Sequence, residues 1–208
     1  MLIMLFTPFY FSLSSWGPLI RGPYFFAKIG KVVCNMIVGD IIVVSGKSLI
    51  SKIIQKVAGS KWTHVALYIG GGYIIEIDWN TKSSIVREKY SISNLECMVL
   101  RNKNALTKEQ QDIIISTAVS YQRKGFRYDW LRLISLYLKS KFPNNKLIDK
   151  LDRRNKFICT ELVDEILKEA GIDLFPNQGG DIFPHDYLAC EQLIALNKVK
   201  WSSYKKAN

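Results

Sequence analysis

Residues 63–78 read THVALYIGGGYIIEID and give the clearest local indication of structure in this chain. Apolar side chains, many of them β-branched or aromatic, lie on both sides of three consecutive glycines, Gly70–Gly72. Two such runs around a glycine turn are typical of a β-hairpin. Because side chains alternate between the faces of a strand, His64, Ala66 and Tyr68 share one face. The stretch therefore predicts two paired strands with a histidine at the start of the first.

Two acidic residues of the second strand, Glu76 and Asp78, are candidates to contact that histidine. A three-residue turn over 70–72 places His64 opposite Asp78 and Ala66 opposite Glu76, so that Glu76 lies diagonally from His64. Both carboxylates are then within side-chain reach of the imidazole. A carboxylate that accepts a proton from one ring nitrogen orients the ring and stabilises the imidazolium. The hairpin alone leaves both acids open as partners of His64.

The segments around the hairpin predict an α+β domain with a small antiparallel sheet packed against helices. GDIIVV at 39–44 is typical of a buried strand, and short strands are expected near 85–88 and 97–100. Helices are predicted at 48–58, 107–122, 129–141 and 159–170, with Ser48 and Thr107 as N-caps and Gly59 and Gly171 as stops. Strands in the middle with helices before and after indicate the α+β class.

Cys159 lies at the predicted start of a helix in KFICTELVDEILKEAG. A thiol in the first turn of a helix faces the positive end of the dipole and free backbone N–H groups, which favour the thiolate. The same N–H groups can hold a developing oxyanion. The other three cysteines, Cys34, Cys97 and Cys190, lack this context and are interpreted as structural.

The composition limits the classes of partner. The chain has 208 residues, 48% of them hydrophobic, and a formal net charge of +11. A basic excess favours anionic surfaces such as lipid or cell-wall polymer, although dispersed lysines are also typical of a solvated surface. No aromatic-and-basic motif of nucleic-acid readers is present, so nucleic acid is not an expected partner. Four cysteines without a CxxC pair argue against a zinc site and favour a reducing compartment, cytoplasmic or membrane-associated.

The ends of the chain are predicted to lie outside the main domain. Residues 1–20 carry no charge and begin MLIMLFTPFYFSL, but Pro8 and Pro18 interrupt the run. We interpret residues 1–35 as an apolar extension: a leader, a membrane-associated segment or the product of a miscalled start codon. The domain is predicted to span 36–198, and the polar tail 199–208 is expected to fray.

Four motifs together resemble a known family: GDIIVV at 39–44, THVALYIGGGYIIEID at 63–78, FRYDW at 126–130 and FICTELV at 157–163. In their order and spacing they resemble the circularly permuted branch of the NlpC-type papain-like cysteine hydrolases, the YiiX-like group with its poxviral and phage relatives. Lecithin retinol acyltransferase is a more distant relative. The histidine strand precedes the cysteine helix here, which is the order of the permuted branch.

The resemblance implies a role for individual residues. Cys159 would be the nucleophile, His64 its base and Glu76 the polar third member, because Glu76 follows the histidine by 12 residues as in that family. This spacing favours Glu76 over the alternative, Asp78. Tyr128 of the Tyr-Asp pair could line the site or donate to the oxyanion, and Trp62 could wall a substrate groove. Each aromatic residue could equally be a packing residue, and Asp129 a helix cap.

The resemblance implies a thiol hydrolase, amidase- or peptidase-like, that cleaves an amide or ester through a thioester on Cys159. No metal and no organic cofactor is required, and the substrates of the wider family are peptides, cell-wall peptides and lipid esters. One alternative is a membrane-associated lipid acyl hydrolase or acyltransferase, which the apolar N-terminus and WLRLISLYLKSKF at 130–142 suggest. Another is a catalytically silent binding module of the same fold.

Overall fold

The computed structural model describes residues 25–29, 32–141, 156–176 and 181–199. The strands are β1 Phe25–Ile29, β2 Val32–Met36, β3 Ile41–Ser45, β4 His64–Gly70, β5 Tyr73–Glu76, β6 Ser84–Arg87, β7 Glu96–Asn102, β8 Arg127–Tyr128, β9 Lys156–Phe157 and β10 Leu193–Val199. The helices are α1 Leu49–Ala58, α2 Lys108–Lys124, α3 Trp130–Lys141, α4 Cys159–Glu169 and α5 Asp186–Ala189, and a short 3-10 turn spans Tyr90–Ile92.

The centre of the molecule is a six-stranded sheet in the order β10-β7-β3-β4-β5-β6. Every neighbouring pair in it is antiparallel. Two small sheets accompany it, the β1–β2 hairpin and the parallel pair β8–β9. The prediction of an α+β fold with an antiparallel sheet is therefore confirmed. Strand β10 lies in a segment for which the sequence analysis made no prediction.

The β4–β5 hairpin has the predicted register but a different turn. Leu67 pairs with Ile75, and this register places Ala66 opposite Glu76 as expected. The turn is shorter than predicted because Gly70 pairs with Tyr73, which leaves two turn residues. One extra residue between Tyr68 and Gly70 forms a bulge that accommodates the shorter turn. All three glycines have positive φ, a conformation that other residues rarely adopt.

The sheet is buried on both faces. Ile41, Val43, Val65 and Leu67 belong to the larger core, which helices α2 and α4 complete. Their strand neighbours on the opposite face form a second core with Met36 of β2 and Tyr90 of the 3-10 turn. Burial on both faces explains why the central strands are continuously apolar rather than alternating.

The predicted helix ends agree with the structure where a cap was recognised. Ser48 caps α1 by accepting a hydrogen bond from the Ser51 N–H, and Gly59 ends that helix in the left-handed conformation. Thr107 and Gln110 form a reciprocal capping box at the start of α2.

The predictions for the chain ends are only partly covered. Residues 1–24 and 200–208 lie outside the described residues, and the predicted domain start at residue 36 falls inside strand β2. Within the described ranges, no helix has both the length and the apolar character that a membrane crossing needs.

Candidate active site

His64 is the first residue of β4 and pairs with Val44 of β3. Its side chain is 14% exposed, so the imidazole is largely but not wholly removed from water. The ring atom Nε2 lies 3.2 Å from Oε2 of Glu76, the last residue of β5. The hairpin register accounts for this contact, since Glu76 is the diagonal neighbour of His64 across the two strands.

Glu76 is buried and accepts hydrogen bonds on both carboxylate oxygens. Lys89 Nζ lies 2.5 Å from Oε1, and the hydroxyl of Tyr90 donates to Oε2 at 2.6 Å. Asp78, the alternative third member, instead accepts a hydrogen bond from the Trp79 N–H at 2.7 Å. The structure thus brings Glu76 to the imidazole and places Asp78 in the following loop.

Cys159 is the first residue of α4 and is 5% exposed. Its thiol lies close enough to the imidazole of His64 for the two groups to interact, and this interaction raises the pKa of His64. The helix enters the site here because Ile158 has extended backbone, and the Glu161 side chain accepts a hydrogen bond from the Ile158 N–H at 3.1 Å. The N–H groups of the first turn of a helix have no intrahelical acceptor, so the start of α4 brings backbone donors close to the thiol.

The three side chains shift one another's protonation. Burial by itself lowers the pKa of His64, but hydrogen bonds to Cys159 and Glu76 and the charges of those groups outweigh it and raise the pKa from 6.5 to about 10. Burial by itself raises the pKa of Glu76, but His64, Lys89 and Tyr90 lower it from 4.5 to about 2. Both shifts favour an imidazolium beside a carboxylate.

Lys89 and Tyr90 were not identified from the sequence. They follow β6 in a turn that Glu88 organises, because its Oε1 accepts hydrogen bonds from the N–H groups of Tyr90 and Ser91, at 2.5 Å and 2.9 Å. Nothing in EKYS at 88–91 distinguishes these residues from an ordinary surface turn. Their proximity to Glu76 arises from the β5–β6 pairing.

Arg132 is a third residue that was not identified from the sequence. It lies in α3, yet its guanidinium donates to Glu161 at 2.7 Å and to Asp181 at 2.8 Å, and its side chain is only 9% exposed. Since Glu161 also holds the Ile158 N–H, Arg132 supports the start of the cysteine helix. The available signal was one arginine inside the apolar run WLRLISLYL.

The two predicted aromatic residues lie in different places. Tyr128 is the last residue of β8 and pairs with Phe157, two residues before Cys159. It also lines a cavity beside His64. Burial, and next the charge of Cys159, raise the pKa of Tyr128 well above 10, so its hydroxyl keeps its proton. Trp62 is 6% exposed and belongs to the larger core, where it packs rather than lining that cavity.

Asp129 has the local role expected of it, and His185 has a local role of its own. Asp129 accepts a hydrogen bond from the Arg132 N–H at 3.0 Å and so caps α3. His185 precedes α5, and its ring stacks on Phe183 with centroids 5.6 Å apart. It is therefore a loop residue and not part of the Cys159 site.

The cavity beside His64 has a volume of about 360 Å³. Site residues form one part of its wall, and α1 and the loop before it form another. The wall includes His64, Asp78, Trp79, Lys89, Tyr90, Tyr128, Lys47, Ile50 and Ile54. Cys159 lies near His64 and Tyr128, which both line this wall, because its charge influences the pKa of each. A ligand of moderate size in the cavity would therefore lie next to the imidazole.

The thiols of two other cysteines, Cys97 and Cys190, lie near backbone carbonyl oxygens. The thiol of Cys97 is buried and lies 3.8 Å from the carbonyl oxygen of Tyr90, and that of Cys190 lies 3.6 Å from the carbonyl oxygen of Leu174. Within residues 25–29, 32–141, 156–176 and 181–199, no group of three or more His, Cys, Asp or Glu side chains could hold a metal ion.

Comparison with known proteins yields a structural relationship only. No protein-family model and no curated protein matches the sequence, but five chains of solved structures match the fold. One of them is YiiX from Escherichia coli O157:H7, described as a metalloprotein. It matches with a TM-score of 0.54 and 17% identity, over 77% of this chain and 96% of the YiiX chain. The chain therefore has a YiiX-like α+β fold.

Proposed function

We propose that the protein is a thiol hydrolase of the circularly permuted, NlpC-type papain-like class, which cleaves an amide or ester through a thioester on Cys159. The observation that carries this proposal is the contact between His64 and Glu76, beside a Cys159 thiol whose proximity raises the pKa of His64. A thiol at a helix start, a base in contact with it and a carboxylate behind that base are the parts that nucleophilic thiol catalysis needs.

The geometry suggests how the proton moves. Because Nε2 of His64 contacts Glu76, Nδ1 is the ring nitrogen that remains for Cys159. The thiol proton resides on Nδ1 of His64 before the reaction begins, and the resulting imidazolium, whose pKa is raised to about 10, is stabilised by the ionised Glu76. The thiolate then attacks the carbonyl carbon of the substrate, which forms a C–S bond and a tetrahedral oxyanion.

The remaining steps use the same residues. N–H groups of the first turn of α4 stabilise the oxyanion, and the Tyr128 hydroxyl adds a hydrogen bond. His64 returns its proton to the leaving amine or alcohol as the carbonyl re-forms, which leaves a thioester on Cys159. His64 next removes a proton from a water molecule that attacks the thioester. Collapse of that second intermediate releases the carboxylic acid and restores the thiol.

YiiX is described as a metalloprotein, but the residues around His64 and Cys159 do not form a metal site. Both oxygens of Glu76 already accept hydrogen bonds from Lys89 and Tyr90, so this carboxylate is not free to bind a cation. The described residues offer no other cluster of three ligands. The donor set therefore does not fit a metal, and the mechanism proposed here uses none.

A thiol-labelling experiment tests the proposal. Wild type and the variants Cys159→Ala, His64→Ala, Cys97→Ala and Cys190→Ala are treated with iodoacetamide at near-neutral pH, and the labelled site is found by mass spectrometry. We expect rapid labelling of Cys159 alone, about a hundredfold slowing in His64→Ala, in line with the loss of a general base, and no change in the other two variants. Labelling that survives in Cys159→Ala or ignores His64 would contradict the mechanism.

A second measurement separates an enzyme from a catalytically silent module of the same fold. Wild type is mixed with p-nitrophenyl acetate, and release of nitrophenolate is followed together with the mass of the protein. We expect an acetyl group on Cys159 that is then lost to water. A reactive thiol that never accepts the acetyl group would instead support the binding module.

A further inference from the structure

Helix α1 exposes large apolar side chains beside the cavity. Leu49 is 78% exposed and Ile53, one turn later, is 54% exposed. On the inner side of the same helix, Ile50 and Ile54 line the cavity. The helix is therefore apolar towards the cavity and also on part of its outer surface, which burial in the core does not explain.

Two further elements extend this exposed surface. In α3, Trp130 is 38% exposed and Ile134 is 47% exposed. Trp79, which lines the cavity, is 40% exposed and its ring lies 6.1 Å from that of Trp130. Helices α1 and α3 are in contact. We call Leu49, Ile53, Trp79, Trp130 and Ile134 the apolar rim.

The charged residues within the two helices of the apolar rim are all basic. Neither α1 nor α3 contains an aspartate or a glutamate. Lys52 and Lys56 are exposed and flank Ile53 on α1, and Lys47 is exposed at the cavity wall. The whole chain carries a net charge of +11. An apolar surface with tryptophans and surrounding lysines has the composition of a segment that binds at the interface of an anionic bilayer.

We propose that the apolar rim docks the protein on an anionic lipid bilayer, with the cavity mouth towards the lipid. A second copy of this chain fits the surface less well. In a symmetric dimer the same patch faces itself, and the lysines of both copies would then be brought together at a cost. The docking rests on these surface residues alone. The consequence that a lipid acyl ester or amide is the substrate rests also on the proposed function.

Vesicle flotation tests the docking with the full chain carrying Cys159→Ala. Vesicles of equal parts phosphatidylcholine and phosphatidylglycerol are compared with pure phosphatidylcholine. We expect binding to the anionic vesicles, and at least about tenfold weaker binding in Leu49→Ser/Ile53→Ser because two apolar side chains no longer enter the interface. The matched control is Ile194→Ser on β10, which pairs with Arg101 at the end of the sheet away from α1, where a side chain of 42% exposure should not matter.

A charge pair of variants tests the role of the lysines. Lys52→Gln/Lys56→Gln should weaken binding to anionic vesicles by about fivefold per lysine, whereas Lys103→Gln/Lys108→Gln, exposed at the other end of the sheet, should not. Absence of vesicle binding, equal binding to both compositions, or full binding by Leu49→Ser/Ile53→Ser would each overturn the proposal. So would a wild-type dimer in light scattering that becomes monomeric in that variant. Thiol labelling is measured without lipid, so its failure is a separate result.

Discussion

The carboxylate of Glu76 accepts three hydrogen bonds inside the protein, from His64, Lys89 and Tyr90. A buried carboxylate with these partners stays ionised, and its charge in turn favours the imidazolium of His64. The 12-residue spacing from His64 indicated Glu76 as the partner of the imidazole. No local sequence pattern indicates that Lys89 and Tyr90 contact Glu76. Those two reach Glu76 only through the pairing of β5 with β6 and the turn that follows.

Lys89 is expected to position Glu76 rather than touch a substrate carbonyl. Lys89→Met should slow iodoacetamide labelling of Cys159 by about fivefold, a barrier change of about 1 kcal/mol, because Glu76 loses one of its donors. Lys89→Arg should restore most of the rate. The matched control is Lys61→Met, since Lys61 also forms an ion pair and is exposed to a similar extent, 48% against 50%. Equal rates in both methionine variants would contradict this role.

The pKa shifts of Glu76 and His64 predict how stability depends on pH. The lowered pKa of Glu76 stabilises the fold above pH 4.5, and this contribution is lost as the pH falls through about 2. The raised pKa of His64 stabilises it below pH 6.5, and this contribution is lost as the pH rises through about 10. The difference in Tm between wild type and Glu76→Gln should therefore be largest between these ordinary values, pH 4.5 and 6.5, and shrink on both sides.

The control for this profile is Asp112→Asn, which removes an exposed ion pair with Lys108. Because solvent screens such a pair, the Tm difference should stay small and nearly flat with pH. A flat profile for Glu76→Gln as well would mean that Glu76 and His64 are not coupled.

The role of Tyr128 can be distinguished from the roles of His64 and Cys159 by comparing two reagents. Acylation by p-nitrophenyl acetate passes through an oxyanion, whereas alkylation by iodoacetamide does not. Tyr128→Phe should therefore slow acylation of Cys159 by about a hundredfold or more, as the loss of an oxyanion donor does elsewhere, and leave alkylation within about twofold. If both rates fall together, Tyr128 acts by packing around the site.

Among the secondary-structure elements, the capped helices could be predicted from the sequence, but the contacts between elements that are distant in the chain could not. Ser48, Thr107 and Gly59 are local signals, and the helices that they bound were predicted to within one or two residues. Strand β10 lacks such a signal: Ile194 and Ala195 are exposed, and its partner β7 is remote in the chain. Pairing of this kind depends on the assembled sheet and not on a local pattern.

The ion pair between Arg132 of α3 and Glu161 of α4 should contribute measurably to the free energy of unfolding. Arg132→Met removes the partner of the partly buried Glu161 and loosens the start of the cysteine helix, so we expect a loss of about 3 kcal/mol in urea unfolding, as for other broken buried ion pairs. The control Lys108→Met removes an exposed pair and should cost less than about 0.5 kcal/mol. A loss as small as that of the control would show that Arg132 is not required to hold α4.

For the whole molecule, the sequence indicated the sheet but not what covers its second face. The uninterrupted apolar run at 41–44 correctly predicted a buried strand, since each of the four side chains is at most 1% exposed. The larger core is covered by α2 and α4, which the helical periodicity predicted. The second core includes Met36, which lies in strand β2 of a hairpin that begins within the segment interpreted as an extension.

This arrangement predicts that the domain starts before residue 36. Met36 is 2% exposed, and the carbonyl oxygen of Asn35 accepts a hydrogen bond at 2.7 Å from Arg101, which also binds the buried Asp40. A chain of residues 36–208 loses the β1–β2 pairing and the Asn35 acceptor, whereas a chain of residues 25–208 keeps both. We expect the shorter chain to be destabilised in urea by more than Met36→Ala, which by itself should cost about 2 kcal/mol, and the longer chain to match full length. Equal stability of the two truncated chains would instead support the boundary at residue 36, with the hairpin an appendage that the sheet does not need.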